Sequence, residues 1–124
     1  MQDTINHLTL STSILKDTTV RNAADEKLGV IKDVMLDMEA GRVAYVVLSV
    51  DTGLLNLDNK YFAIPWEAFH FDASQEDVII LNIDKEKLKN SPGFDKHNWP
   101  TSPQHNFINE VYTYYGYDPY YITL

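Results

Sequence analysis

From about Ser13 to Ile83 the apolar positions follow the spacing of strands broken by polar turns, and beyond Asp84 they shift to helical spacing. The segment Thr18 to Arg21 leads into a polar turn at Asn22-Ala23-Ala24-Asp25. Leu28 to Asp37 then reads as a strand. Leu28, Val30, Val34 and Leu36 share one parity, while Lys27, Asp33 and Asp37 take the other. Lys32 breaks the alternation. Met38-Glu39-Ala40-Gly41 is a hairpin turn, with Gly41 suited to a positive φ. Arg42 to Val50 is apolar on both parities, as is Val78 to Ile83. Strands without a polar face need cover on both sides. A small barrel fills its inside with side chains, so another part of the chain must cover its outside.

Between these strands lie a loop from Asp51 to Lys60, a strand from Tyr61 to Pro65 and a helical turn at Trp66-Glu67-Ala68-Phe69. A further turn falls within Phe71 to Glu76. Pro65 ends pairing or marks an edge. Asp84 caps a short helix through Leu88, and Asn90-Ser91-Pro92-Gly93 breaks it. Ser102-Pro103 has the form of an N-cap with proline at the first helical position. Phe107, Val111 and Tyr115 make one helical stripe, with Gly116 as the C′ residue and Pro119 stopping continuation. The organisation expected is a polar N-terminal arm over 1–12, a β domain over 13–83 and a C-terminal extension over 84–124. The extension carries a helix near 103–115 and belongs to the same folding unit. The fold class is mainly β: a small, closed or partly open antiparallel barrel with the C-terminal helix and an aromatic tail packed on it.

Several of these segments together resemble a known family. They are Glu26-Lys27-Leu28-Gly29-Val30-Ile31-Lys32-Asp33, Gly41-Arg42-Val43-Ala44-Tyr45-Val46-Val47-Leu48-Ser49 and Phe62-Ala63-Ile64-Pro65-Trp66. In order and spacing they are similar to the PRC-barrel domain. That barrel is shared by the cytoplasmic part of the photosynthetic reaction-centre H subunit and the C-terminal domain of a ribosome maturation factor. The resemblance covers roughly Ser13 to Leu88. Pro92-Gly93-Phe94-Asp95-Lys96, Asn98-Trp99-Pro100 and Val111-Tyr112-Thr113-Tyr114-Tyr115-Gly116 resemble the extension of free-standing bacterial members. The resemblance implies structural roles: Leu28 and Val43 in the core, Gly29 at a close strand approach, Gly41 in a turn. It does not fix a function. The turn at Ala24-Asp25 lacks the glycine often found there, and Asn56 and Asp58 also stand where relatives often have glycine.

At 124 residues the chain has room for one domain. Eighteen carboxylates against ten basic residues give a net charge of −8, which disfavours direct nucleic-acid binding. The densest basic stretch, Lys85, Lys87 and Lys89, is diluted by Asp84 and Glu86. With no cysteine there are no disulfides, thiolate nucleophiles or Cys-type zinc sites, which fits a cytoplasmic location. No apolar run reaches the roughly 20 residues of a membrane span, and no signal-peptide pattern opens the chain.

No motif carries a reaction, and no catalytic, cofactor or metal residue is assigned. His97 near Asp95, with His105 further on, lacks metal-ligand spacing. His70 and Asp72 have no nucleophile motif beside them. Asp33 and Asp37 share a strand face as solvated carboxylates, and Asp51, Asn56 and Asp58 lack the EF-hand pattern. The unusual feature is aromatic: six of the ten residues from Tyr112 to Tyr121 are tyrosine, a residue enriched at interfaces. Tyr112, Tyr114, Tyr115, Tyr117, Tyr120, Tyr121 and Trp99 are therefore the candidate interaction surface; Tyr112, Tyr115 and some tail residues could equally seal the barrel. The expected function is a non-enzymatic protein-interaction or assembly module with an unnamed protein partner or a second copy of itself. The alternative is a small-molecule binder or enzyme with a pocket between barrel and C-terminal segment, lined by Trp66, Phe69, Trp99 and tyrosines. Family analogy adds a ribosome-assembly or membrane redox-complex accessory.

Overall fold

A computed structural model describes residues 11–50, 60–71, 78–100 and 104–120. In chain order these hold α1 (Thr12–Leu15), β1 (Thr19–Arg21), β2 (Lys27–Asp37), β3 (Arg42–Val50) and β4 (Lys60–Ile64). A 3-10 turn (Trp66–Ala68), β5 (Phe69–Phe71), β6 (Val78–Leu81), α2 (Lys85–Lys89), β7 (Gly93–Asp95) and α3 (His105–Tyr114) follow. The strands form one curled, half-barrel sheet in the order β5-β6-β1-β2-β3-β4-β7. The barrel is thus of the partly open kind. It is not wholly antiparallel, because β1 pairs with β6 in parallel. Those two strands are far apart in sequence, so the chain can pass round the sheet before returning to β1.

The sheet has a core on each face. The inner one gathers Val20, Leu28, Ile31, Val46, Leu48, Phe62, Ile64, Ile79 and Leu81. The outer one joins Ala44, Tyr45, Val47 and Ala63 of the sheet to Ile108, Val111 and Tyr112 of α3. The two-sided apolar pattern of β3 follows from this: Val46 and Leu48 face one core, Tyr45 and Val47 the other. The helix is the cover that the pattern requires.

Strand β2 departs from simple alternation. Its register against β3 shifts between Ile31 and Asp33, and again between Met35 and Leu36. The first shift falls at Lys32, where the sequence pattern also breaks. Each bulge bends and re-aims a strand. A further shift, against β1 between Val20 and Arg21, skips Leu28, so Leu28 and Ile31 are both buried despite opposite parity; beyond Lys32, Val34 packs on the inner core and Met35 on the outer one. Leu36, which shares the parity of Leu28 and Val34, is 59% exposed.

Turns and caps have local causes. Asn22 is buried and its Oδ1 accepts from the Ala24 and Glu26 amides, both at 3.0 Å. This loop needs no glycine because Asp25 takes φ 64°. Gly29 lies so close to β3 that a Cβ would stand 2.2 Å from the Ser49 carbonyl oxygen. Asp84 caps α2 by accepting from the Lys87 amide at 2.7 Å. At the end of α3, the Tyr117 amide donates to the Tyr112 carbonyl (2.9 Å) and the Gly116 amide to that of Thr113 (3.0 Å), a Schellman closure with Gly116 at φ 84°.

Other boundaries moved. α1 takes in Thr12, placed by the sequence pattern in the N-terminal arm, and seats Leu15 in the inner core. Residues 1–10, most of the loop from Asp51 and the turn after Phe71 lie outside the described residues, as do Ser102 and Pro103. The short strands β5 and β7 were not expected. α3 buries Ile108, Val111 and Tyr112 rather than the stripe through Phe107, while Tyr115 reaches the inner core. The buried set spaced i, i+3, i+4 has its centre on Ile108, so Phe107 lies at its half-buried margin.

Candidate functional site

Arg42, the first residue of β3, organises the tyrosine-rich tail. Its Nη2 lies 2.7 Å from Glu67 Oε2 and donates to the Tyr112 hydroxyl at 3.1 Å. Its guanidinium also lies over the Tyr120 ring, 4.0 Å from the centroid. The Tyr112 hydroxyl donates to the Ala44 carbonyl (3.0 Å), the Tyr120 hydroxyl to Asp37 Oδ2 (2.7 Å) and the Tyr117 hydroxyl to the Glu67 carbonyl (3.3 Å). Burial opposes ionisation of Glu67, but the hydrogen bond from Arg42 leads a set of interactions that hold its carboxyl below the ordinary 4.5. Burial likewise opposes the charge on Arg42, and Glu67, Tyr112 and Tyr120 together more than offset it. Burial is also the main cause that raises the Tyr112 phenol, with the Glu67 charge next.

The candidate tyrosines thus occupy different surroundings. Tyr112 is 1% exposed and Tyr115 9%, so both present little surface to a partner. Tyr114 is half-buried and donates to the Lys87 carbonyl at 2.6 Å. Tyr117 is 36% exposed. Tyr120 is half-buried, and Tyr121 lies outside the described residues. Trp99 sits apart from the Arg42 group. It packs on Tyr61 and Phe94 with centroid distances of 5.5 and 5.0 Å, and its Nε1 donates to the Lys96 carbonyl at 2.9 Å.

A cleft of about 510 Å³ opens between the β2–β3 hairpin and the start of α3. Met35, Leu36, Met38, Ala44 and Ile108 give it an apolar lining; Asp37, Glu39, Gln104 and His105 supply polar groups. The Tyr45 hydroxyl, whose pKa burial raises to about 12, donates to Gln104 Oε1 at 2.8 Å. His105 Nε2 lies 2.7 Å from Glu39 Oε1, tying the helix start to the turn. Met38 at the hairpin tip is 85% exposed. This is a different place from the pocket expected near Trp66 and Phe69, which pack on the inner core. Sequence reasoning missed Leu36 and Met38 as site residues. The signal that could have found Met38 is a bulky apolar residue in a turn; Leu36 carries no such signal, since it shares the parity of Val34, which packs on the inner core.

The other chemical candidates are dispersed. His70 and His97 are exposed, and Asp95 accepts from the His97 amide at 2.8 Å. Asp33 accepts from the Val34 amide at 2.9 Å, while Asp37 holds the hairpin turn through the Glu39 and Ala40 amides, both at 3.0 Å. Asp51, Asn56, Asp58 and Asp72 lie outside the described residues. Among the described residues no three His, Asp or Glu side chains form a metal-binding group. Lys85 pairs with Glu26 at 3.2 Å, and Lys87 lies 5.6 Å from the Tyr114 ring centroid. No described helix is long and apolar enough to cross a membrane.

The comparison with curated proteins gave no match. The family model for the PRC-barrel domain matches residues 10–88, from just before α1 to the last turn of α2. That span takes in six of the seven strands and the Leu28, Gly29 and Gly41 positions, and on it the chain belongs to the PRC-barrel family.

Proposed function

We propose that the protein is a non-catalytic interaction module and that its contact surface centres on the β2–β3 hairpin tip and the cleft beside it. One observation carries this reading: Leu36 and Met38 project 59% and 85% exposed beside a cleft lined by Met35, Ala44 and Ile108. An apolar centre with a polar rim is the usual anatomy of a protein contact. Methionine suits such a surface because its unbranched side chain adapts to different partners. The tyrosines and Arg42 support the site from behind by fixing the tail against the hairpin. Tyr117 and Trp99 extend the candidate surface away from the cleft.

The test is a photo-cross-linking residue at position 38, with Lys89, exposed at the end of α2, as the control position. The expected result is a discrete protein adduct from Met38 and none from Lys89. Identical adducts at both positions, or none at either, would refute the placement of the surface.

A further inference from the structure

We propose that the outer edge of β7 receives an extended segment of a partner protein, which adds to the sheet as a further strand and sets an apolar side chain against Phe94 and Phe107. β7 is the last strand in the sheet order, and among the described strands it pairs with β4 alone. Hydrogen bonds in an antiparallel pair fall at every second residue. The Ala63 amide donates to the Pro92 carbonyl at 3.1 Å, in line with the register Phe62↔Gly93, Tyr61↔Phe94 and Lys60↔Asp95. Phe94 is therefore the residue of β7 that exchanges bonds with β4. Gly93 and Asp95 stand at the intervening positions, so their amides and the Gly93 carbonyl point away from β4. Gly93 fits the close Cα approach of such a position, since a Cβ there would stand 2.2 Å from the Tyr61 carbonyl oxygen. Among the described residues none bonds to these three outward groups. The Asp95 carbonyl, by contrast, already accepts from the Asn98 amide at 3.0 Å.

The chemistry of the edge names its occupant. Two donors and an acceptor set along extended backbone match another extended backbone, a mode in which main-chain bonds give affinity and alternate side chains give specificity. A residue opposite Gly93 in antiparallel register exchanges two bonds with it, and the residue opposite Asp95 accepts a third. Side chains of a strand alternate between faces, so the residue opposite Phe94 falls on the face that Phe94 occupies. Phe94 and Phe107 both pack on the outer core, and their rings meet near edge-on at 6.5 Å. A groove of about 600 Å³ lies there between β7 and the start of α3, with Pro100 and Asn106 also on its walls. That volume accepts a bulky side chain. A three-residue edge is too short to template open-ended pairing, and the groove supplies the selectivity that a few backbone bonds lack. Among the described lining residues the groove shares only Gln104 and His105 with the hairpin cleft, and its occupancy does not depend on the contact proposed there.

The experiment uses the full chain, its backbone amides followed by NMR, and a short capped peptide that alternates leucine with threonine. In the register above the leucines face the groove and the threonine amides face β7. Two further versions of the peptide carry N-methyl groups, one on the threonine nitrogens and one on the leucine nitrogens. The expected result is saturable movement of the Gly93 and Asp95 amide signals by the parent peptide, with slower hydrogen exchange at both. Methylation of the threonine nitrogens removes the donor to the Gly93 carbonyl and should weaken binding by about tenfold or more. Methylation of the leucine nitrogens, which point away from the sheet, should leave binding nearly unchanged. Equal weakening by the two patterns, binding that leaves both amides unmoved, or no binding overturns the proposal. Protection of the two amides that grows with protein concentration, with no peptide added, would place a second copy of the chain on the edge and likewise overturn the partner segment.

Discussion

Two buried tyrosines, Tyr112 on α3 and Tyr115 at its C-cap, should respond oppositely to loss of their hydroxyls. Tyr112 donates to the Ala44 carbonyl at 3.0 Å and accepts from Arg42 at 3.1 Å. Tyr112→Phe removes both bonds and leaves a buried carbonyl short of a donor. The neutral bond is worth about 1 kcal/mol, and the bond from Arg42 adds a partial loss because Glu67 still holds the guanidinium. Together the cost is roughly 1.5–2.5 kcal/mol. The Tyr115 hydroxyl is buried and makes no hydrogen bond of good geometry, only a looser contact with the Ser91 side chain, and burial raises its pKa. Tyr115→Phe removes a group that lost hydration and gained only that weak contact, so its effect should lie between zero and about 1 kcal/mol of added stability. Urea unfolding of the two variants checks this. With a slope of about 1–3 kcal/mol per molar, Tyr112→Phe should lower the midpoint by roughly 1 M, and Tyr115→Phe should leave it unchanged or raise it. Equal destabilisation by both would refute the reasoning, because it would mean that the ring environments, not the hydroxyl partners, set the energies.

Other perturbations bear on separate parts of the molecule. Gly29→Ala should destabilise by more than about 3 kcal/mol or prevent folding, since its Cβ meets backbone rather than a movable side chain; chemical denaturation measures it. Glu67 has a folded-state pKa below its unfolded value near 4.5, so its pairing stabilises the fold above that pH and is lost as pH falls through the lower folded value. Arg42→Gln should therefore raise the pH at which acid unfolding begins, by a small amount because the pair is partly exposed; circular dichroism against pH reads this. Deletion of Pro103 to Leu124 should bare Ala44, Tyr45, Val47 and Ala63 and cause aggregation, detectable by light scattering; a soluble, folded product would show that the helix is not the cover.

Much of the sheet was legible because its signals are local. Alternation and turn chemistry marked β2, β3 and the hairpin between them. The double-sided pattern of β3 also announced the need for an outer layer before the helix was placed. β5 and β7 were missed because three-residue strands have too little periodicity to distinguish them from turns. The parallel β1–β6 contact was hidden for a different reason: it depends on where the chain returns, and neither segment records that. Leu36 was misleading for another reason. It keeps the parity of Val34, which packs on the inner core, but it stands next to the last residue of β2 at the hairpin end, where parity alone does not report burial. The tyrosines were conspicuous in composition, yet their surroundings depend on Arg42, which lies 70 residues from Tyr112. The cleft was unreadable for a similar reason, because it joins a hairpin turn to the start of a distant helix.

The most direct measurement compares the wild-type chain with Leu36→Glu, Met38→Glu for both thermal stability and partner cross-linking from Ala40, beside the altered positions. Exposed side chains away from special contacts usually change stability by less than about 0.5 kcal/mol, so the melting transition should stay within a few degrees while the adduct disappears. An adduct that persists in the double variant would contradict the proposed contact surface, and so would a collapse of the fold, which would show that Leu36 and Met38 serve the barrel rather than a partner.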